Sequence, residues 1–378
     1  MVCAVNSAVT AQPRSLVLAQ RGAVSITGAL LGGLYGHRAL PDWVPTMSWR
    51  WQLEDVDAER LLHSIAPRWG SDPINVAVMV HGLLVDERNF LVGRDRLIDA
   101  VRPVLKCQPL LVRYNTGQHI SENGAALADR LEELLDAWGP RLGRIQLIGH
   151  SMGGLVSRAA LGHLERRDSL VLDRIDRLTL LATPNQGAEL EKIGHAVERA
   201  LHHAEKLPRL TLRLARGGKS ADTTGILRSW ARETRRSVAD RIAAVPTAPV
   251  RSLGALVASR SDGIRDLRYA YLQEREWRLA DELGDRLSVS TRRPLAPPSH
   301  VDVYAIAGSL WPTVGREPSR YRNDGVVSTA SAANKGGDVD ELRLVERGRF
   351  AEVPMLLHQL VGTSDRAMKI MQRWNERG

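Results

Sequence analysis

From Pro73 onward the hydrophobic positions fall into short apolar runs separated by longer stretches with helical spacing. Ile74-Asn75-Val76-Ala77-Val78-Met79-Val80, Pro109-Leu110-Leu111-Val112-Arg113-Tyr114 and Arg177-Leu178-Thr179-Leu180-Leu181-Ala182 each read as a buried strand. Leu127, Leu131, Leu134, Leu135 and Trp138 recur on one helical face, with Ser121 as the expected N-cap. Ile145, Leu147 and Gly149 alternate as a further strand, and Leu155, Val156, Ala159, Ala160 and Leu164 give the helix after it one apolar face. Strand and helix in alternation predict an α/β fold, a mostly parallel sheet with helices on both faces. Chemistry in such sheets collects beyond the carboxyl ends of the strands.

Residues 188–300 break this rhythm with a largely helical, arginine-rich stretch. The strand pattern returns at Val301-Asp302-Val303-Tyr304-Ala305-Ile306-Ala307 and at Leu342-Arg343-Leu344-Val345, followed by a helix marked by Ala367, Ile370, Met371 and Trp374. We therefore expect a core built from residues 71–187 and 301–378, interrupted by a large helical lid over 188–300 in which Ile264, Leu267, Tyr271 and Leu272 could close over a pocket. Residues 1–70 read as an N-terminal extension packing on or near that core. Within it, Gly22 to Gly36 is uncharged but shorter than the roughly 20 residues of a membrane-spanning helix. The Pro and Trp cluster from Pro41, with Trp49 and Trp51, reads as a connection laid over a surface.

Where the Ile145 strand meets its helix lies Gly149-His150-Ser151-Met152-Gly153-Gly154. A serine on so tight a strand-to-helix turn is forced into a strained backbone that pushes its hydroxyl out of the sheet, and small neighbours remove the atoms that would collide. The following helix aims its first free N–H groups at the same place. A serine nucleophile needs a base and an acid to orient it, and in this type of sheet they follow in the order serine, acid, histidine. Asp324 follows the strand ending near Gly308, whereas Asp302 stands at that strand's start, and Asp338 and Asp340 precede the last strand. His358 follows the last strand, whereas His300 precedes one. Oxyanion stabilisation needs two N–H groups: the residue after the nucleophile supplies Met152, and the loop His81-Gly82-Leu83 supplies Leu83.

Taken together, Val80-His81-Gly82-Leu83, Gly149-His150-Ser151-Met152-Gly153-Gly154, Ala182-Thr183-Pro184-Asn185-Gln186-Gly187, Asn323-Asp324-Gly325-Val326-Val327-Ser328 and His358-Gln359-Leu360 resemble the α/β-hydrolase lipases and esterases. The likeness is greatest to bacterial triacylglycerol-lipase-like and GPI inositol-deacylase-like members, over about residues 73–375. It implies Ser151 as nucleophile, Asp324 as acid, His358 as base, and the Leu83 and Met152 N–H groups as oxyanion donors.

Composition narrows the class. With 43% hydrophobic and 25% charged residues the chain is neither disordered nor fibrous, and its two cysteines lack both a disulfide framework and metal-ligand spacing. Residues 201–300 carry 19 Lys and Arg against 11 Asp and Glu, so nearly all of the chain's +9 excess lies there. The stretch has no nucleic-acid-binding motif, and no nucleic acid is expected as a partner. A charge-rich helical face is more often simply solvated, and a weak peripheral attraction to anionic membrane surfaces is the other use that such charge allows. The expected function is carboxylic ester hydrolysis through an acyl-enzyme on Ser151, acting on a small-molecule or lipid ester with no cofactor or metal. An acyltransferase with the same residues and a silent hydrolase fold used for binding are the alternatives. The expected location is cytoplasmic, with export left open.

Overall fold

The computed structural model describes residues 46–91, 97–188, 261–283, 291–335 and 340–377. Eight strands form one sheet in the order β2-β1-β4-β3-β5-β6-β7-β8. They are β1 (Ser48–Trp51), β2 (Glu54–Val56), β3 (Ile74–Val80), β4 (Gln108–Arg113), β5 (Leu142–His150), β6 (Ile175–Leu181), β7 (Asp302–Ser309) and β8 (Phe350–Pro354). β3 to β8 run parallel, and β1 pairs antiparallel with both β2 and β4. This is the α/β-hydrolase fold.

Alternate side chains of the central strands feed two separate cores, which is why these strands read as apolar runs rather than as half-polar alternation. Val76, Val78 and Val80 of β3, with Ile145 and Leu147 of β5, pack under α1 (Ala58–Ile65), α3 (Ile120–Trp138) and α4 (Met152–Arg166). Ala77, Met79 and Ile148 face the opposite layer, made by α2 (Leu97–Leu105) and α8 (Asp365–Arg377). No helix among the described residues is long and apolar enough to cross a membrane.

Three local expectations change. Trp49 and Trp51 lie on β1 rather than on a surface connection, and Trp49 is buried. The β1 signal is hidden because Arg50, between them, is itself buried against Glu87, far along the chain (3.1 Å). The last strand is Phe350–Pro354, not Leu342–Val345. Leu342 and Leu344 are both buried and imitate strand alternation, but Arg343 between them is left-handed (φ 47°) in a turn. Finally, α3 begins at Ile120, and Ser121 is not its N-cap. The Ile120 N–H is capped by Asp266 Oδ2 at 2.8 Å, while the Ser121 hydroxyl accepts from Trp277 at 3.1 Å.

Those two partners belong to the interrupting stretch. Its residues 189–260 and 284–290 lie outside the described residues, as does Gly22–Gly36. The described part forms α5 (Asp262–Tyr269) and α6 (Glu274–Leu283). Ile264, Leu267, Tyr271 and Leu272 are all buried. Asp266 is completely buried and accepts from His119 Nδ1 at 3.1 Å, and Trp277 stacks on the His119 ring with centroids 3.8 Å apart. Buried carboxylates survive only when fully hydrogen-bonded. Asp266→Ala is therefore expected to lower unfolding free energy by about 3 kcal/mol, because it strands the His119 ring and the Ile120 N–H; urea titration of the two proteins measures it.

Candidate active site

β5 ends at His150 and α4 begins at Met152, leaving Ser151 alone to turn the chain. Its backbone is held at φ 54° and ψ −124°, a conformation that costs a non-glycine residue on the order of 1–3 kcal/mol. The sheet supplies the restraint: Ser151 N–H donates to the Leu181 carbonyl of β6 at 2.8 Å. Close packing supplies the rest. A β-carbon on Gly149 would overlap Gly154, and one on Gly153 would overlap the carbonyl oxygens of Val80 and His81 at the end of β3.

Asp324 lies in the loop after β7 and is buried. Its Oδ1 accepts from the N–H groups of Val326 (3.0 Å) and Val327 (2.8 Å), which leaves Oδ2 facing His358. His358 opens a 3₁₀ turn, His358–Thr363, just after β8. Its Nδ1–H donates to Asp324 Oδ2 at 2.8 Å, and its Nε2 accepts from Ser151 Oγ at 2.9 Å. The backbone repeats the link, since His358 N–H donates to the Asp324 carbonyl at 3.1 Å. The structure thus brings Ser151, His358 and Asp324 into one hydrogen-bonded line. Asp302 instead pairs with Arg349 (2.6 Å), Asp340 caps the Arg343 N–H (2.9 Å), and Asp338 lies outside the described residues. His300 contacts the Leu172 carbonyl on the surface.

The loop bearing Leu83 comes up against the serine. A β-carbon on Gly82 would stand 3.0 Å from Ser151 Cβ and 3.3 Å from the His150 ring. The loop is fixed by His81, whose Nδ1–H donates to the Gly82 carbonyl at 3.0 Å and whose ring stacks on Tyr114. Met152 is the first residue of α4, so its N–H lies in the turn where a helix has no internal acceptor. Further along β3's loop, Phe90 is fully buried in the second core, and Leu84 is half-buried at φ 60°.

Arg158 and Glu341 matter here and carry no signal of their own in the sequence. Arg158, buried on α4, reaches Asn185 at 3.2 Å and Glu341 at 2.7 Å. Asn185 in turn donates to the Ala332 carbonyl (2.9 Å), and Gln186 to the Asn334 carbonyl (3.0 Å). This network ties the loop after β6 to α7 (Thr329–Ala332), the short helix that follows the Asp324 loop.

Residues 71–212 match the model of a family described as "Putative serine esterase (DUF676)". The match supports a serine ester hydrolase at the level of reaction class. No curated protein matches. Among solved structures, a Bacillus licheniformis lipase in mature form is 14% identical, with 81% of this chain and 92% of that chain covered and a TM-score of 0.44. A Pyrobaculum calidifontis esterase is 12% identical over 97% and 94% of the two chains, with a TM-score of 0.39.

Burial holds the His150 imidazole down to a pKa of about 4, with the neighbouring His358 acting in the same direction. Burial also lowers His81. The unfolded chain therefore takes up these protons first as pH falls, so the contribution of His150 is complete above about pH 6.5 and is lost on the way to pH 4. Its share amounts to about 3 kcal/mol across that window. Unfolding free energies measured from pH 7 to 4 should fall, and fall less steeply in His150→Gln.

Proposed function

We propose that the chain hydrolyses carboxylic esters through an acyl-enzyme on Ser151. The observation that supports this most directly is the line Ser151 Oγ–His358 Nε2–His358 Nδ1–Asp324 Oδ2, with links of 2.9 and 2.8 Å. As Ser151 Oγ attacks the ester carbonyl carbon, its proton passes to His358 Nε2, and the carbonyl oxygen becomes an oxyanion facing the N–H groups of Leu83 and Met152. Collapse of the tetrahedral adduct breaks the bond to the alcohol oxygen, which leaves with the proton from His358. Water then repeats the cycle on the acyl-enzyme: His358 takes its proton, the carboxylic acid departs, and Ser151 regains its hydrogen. Asp324 holds Nδ1 protonated throughout and stabilises the imidazolium each time it forms.

An apolar acyl group suits the surroundings. Leu310, Trp311, Tyr321, Met355, Leu357 and Leu360 are exposed, and all lie on the loops that also carry Asp324 and His358. Met355 N–H donates to the Trp311 carbonyl at 3.1 Å, which joins the two loops. Clustered exposed hydrophobic residues are costly unless used. Within this reading residues 188–300 are an insertion at the catalytic edge. α5 supports that position, since a β-carbon on Gly263 would lie 3.1 Å from Met152 Cε. The membrane-attracting charge would come mainly from 201–260, outside the described residues.

Two measurements test the proposal. Ser151→Ala should lower turnover of p-nitrophenyl butyrate by on the order of 10⁶ and abolish fluorophosphonate labelling with the circular dichroism spectrum unchanged, and Asp324→Asn should cost on the order of 10⁴. Trp311→Ser combined with Leu360→Ser should raise KM for a C8 or C12 ester by about tenfold while leaving acetate hydrolysis within twofold; equal effects on short and long esters would separate the rim from the acyl chain.

A further inference from the structure

His150 has no part in the proton transfers above, yet it lies next to Ser151 in the chain and against both His358 and the Gly82 loop. It is buried and directly precedes Ser151. Its Nε2–H donates to the backbone carbonyl of His358 at 3.0 Å, and the two rings lie 5.2 Å apart at 44°. Its other nitrogen, Nδ1, is buried without a hydrogen-bond partner among the described residues and faces Gly82 in the loop bearing Leu83. On its far side the ring approaches Gly362, in the turn that His358 opens.

We propose that His150 is a positioning residue that fixes the base His358 relative to the nucleophile, by holding the His358 carbonyl from the backbone position adjacent to Ser151. This rests on the reading of Ser151 and His358 as nucleophile and base. The His358 backbone is gripped at both ends. Its N–H is bound to the Asp324 carbonyl (3.1 Å) and its C=O to His150. The first contact sets the base against the acid and the second sets it against the serine turn. Movement of the His358 backbone away from Ser151 must therefore break the His150 bond, and proton transfer between hydroxyl and imidazole is steeply sensitive to such movement.

The same residue must stay uncharged for the arrangement to work. When His358 takes the serine proton it becomes a cation, and a second imidazolium 5.2 Å away would oppose it. The charged and titratable groups facing His150 are His358, Asp324 and His81, and burial keeps His150 neutral among them. With Nε2 committed as donor to a carbonyl, the neutral Nε2–H tautomer is fixed.

The test uses His150→Gln, whose amide nitrogen is the same number of bonds from the backbone as Nε2, beside His150→Leu and His150→Met, which remove the donor at similar volume. Folding is checked by thermal unfolding. Turnover of p-nitrophenyl butyrate is expected to fall at least about tenfold in Leu and Met through kcat, with KM within twofold, and fluorophosphonate labelling of Ser151 should slow by the same factor. His150→Gln should recover to within about threefold of the native rate. Native kcat in either folded apolar variant, a loss carried by KM, or a Gln variant as slow as Leu would overturn the assignment. Ser151→Ala in the same assay separates the two readings, because residual turnover there would remove the nucleophile regardless of what His150 does.

Discussion

The strained backbone at Ser151 is the constraint to which the surrounding structure answers. A side chain at φ 54° would relax if either flank were free. One flank is the parallel ladder, where Ser151 N–H is bound to β6. The other is α4, which approaches so near to the ends of β3 and β5 that Gly153 and Gly149 have no room for a β-carbon. Backbone is packed directly against backbone at this turn. What it gains is a hydroxyl raised above the sheet, beside a helix N-terminus, with no side chain between it and the Gly82 loop.

Asp324 and His358 reach that hydroxyl because neighbouring parallel strands end at the same edge. β7 and β8 deliver Asp324 and His358, and two backbone or side-chain bonds between those residues make them one unit. The unit is then held to the serine helix by Arg158, Asn185, Gln186 and Glu341. A guanidinium as deeply buried as Arg158 is tolerable only with its carboxylate in place, so this network stands or falls together. The motif Thr183-Pro184-Asn185-Gln186-Gly187 acts here as a clasp between loops rather than through direct contact with the serine.

Much of this was legible in the residues because each signal was local. The change from apolar run to helical spacing at Gly149-x-Ser151-x-Gly153 marks the turn, and position relative to strand ends separates Asp324 from Asp302 and His358 from His300. The placement of the last strand at Leu342–Val345 was an error of local pattern, since Leu342 and Leu344 are buried by a turn and not by a sheet. His358 still follows the true strand. What was not legible depended on distant partners. Nothing near Arg50 announces Glu87, nothing near Ile120 announces Asp266 as its cap, and nothing in His150 announces that its donor is spent on the His358 carbonyl. Apolar spacing in Ile264 and Leu267 shows that a face is buried but not against what.

The order of the strands also bears on how an ester would approach. Residues 261–283 meet the loop after β4: Gly263 N–H donates to the Gly117 carbonyl at 3.2 Å, and Asp266 caps the helix that follows. In the sheet, β4 and β3 lie on one side of the serine strand β5, while β6, β7 and β8 lie on the other. The exposed rim of Leu310, Trp311, Met355 and Leu360 belongs to the loops after β7 and β8. Under the proposed chemistry, an apolar acyl chain would thus meet the serine from the side of its own acid and base, where burying that chain also covers the rim and draws water away from the Asp324–His358 pair. Removing water there strengthens the very hydrogen bonds on which the proton transfers depend, so acyl binding and catalysis would reinforce each other through one surface.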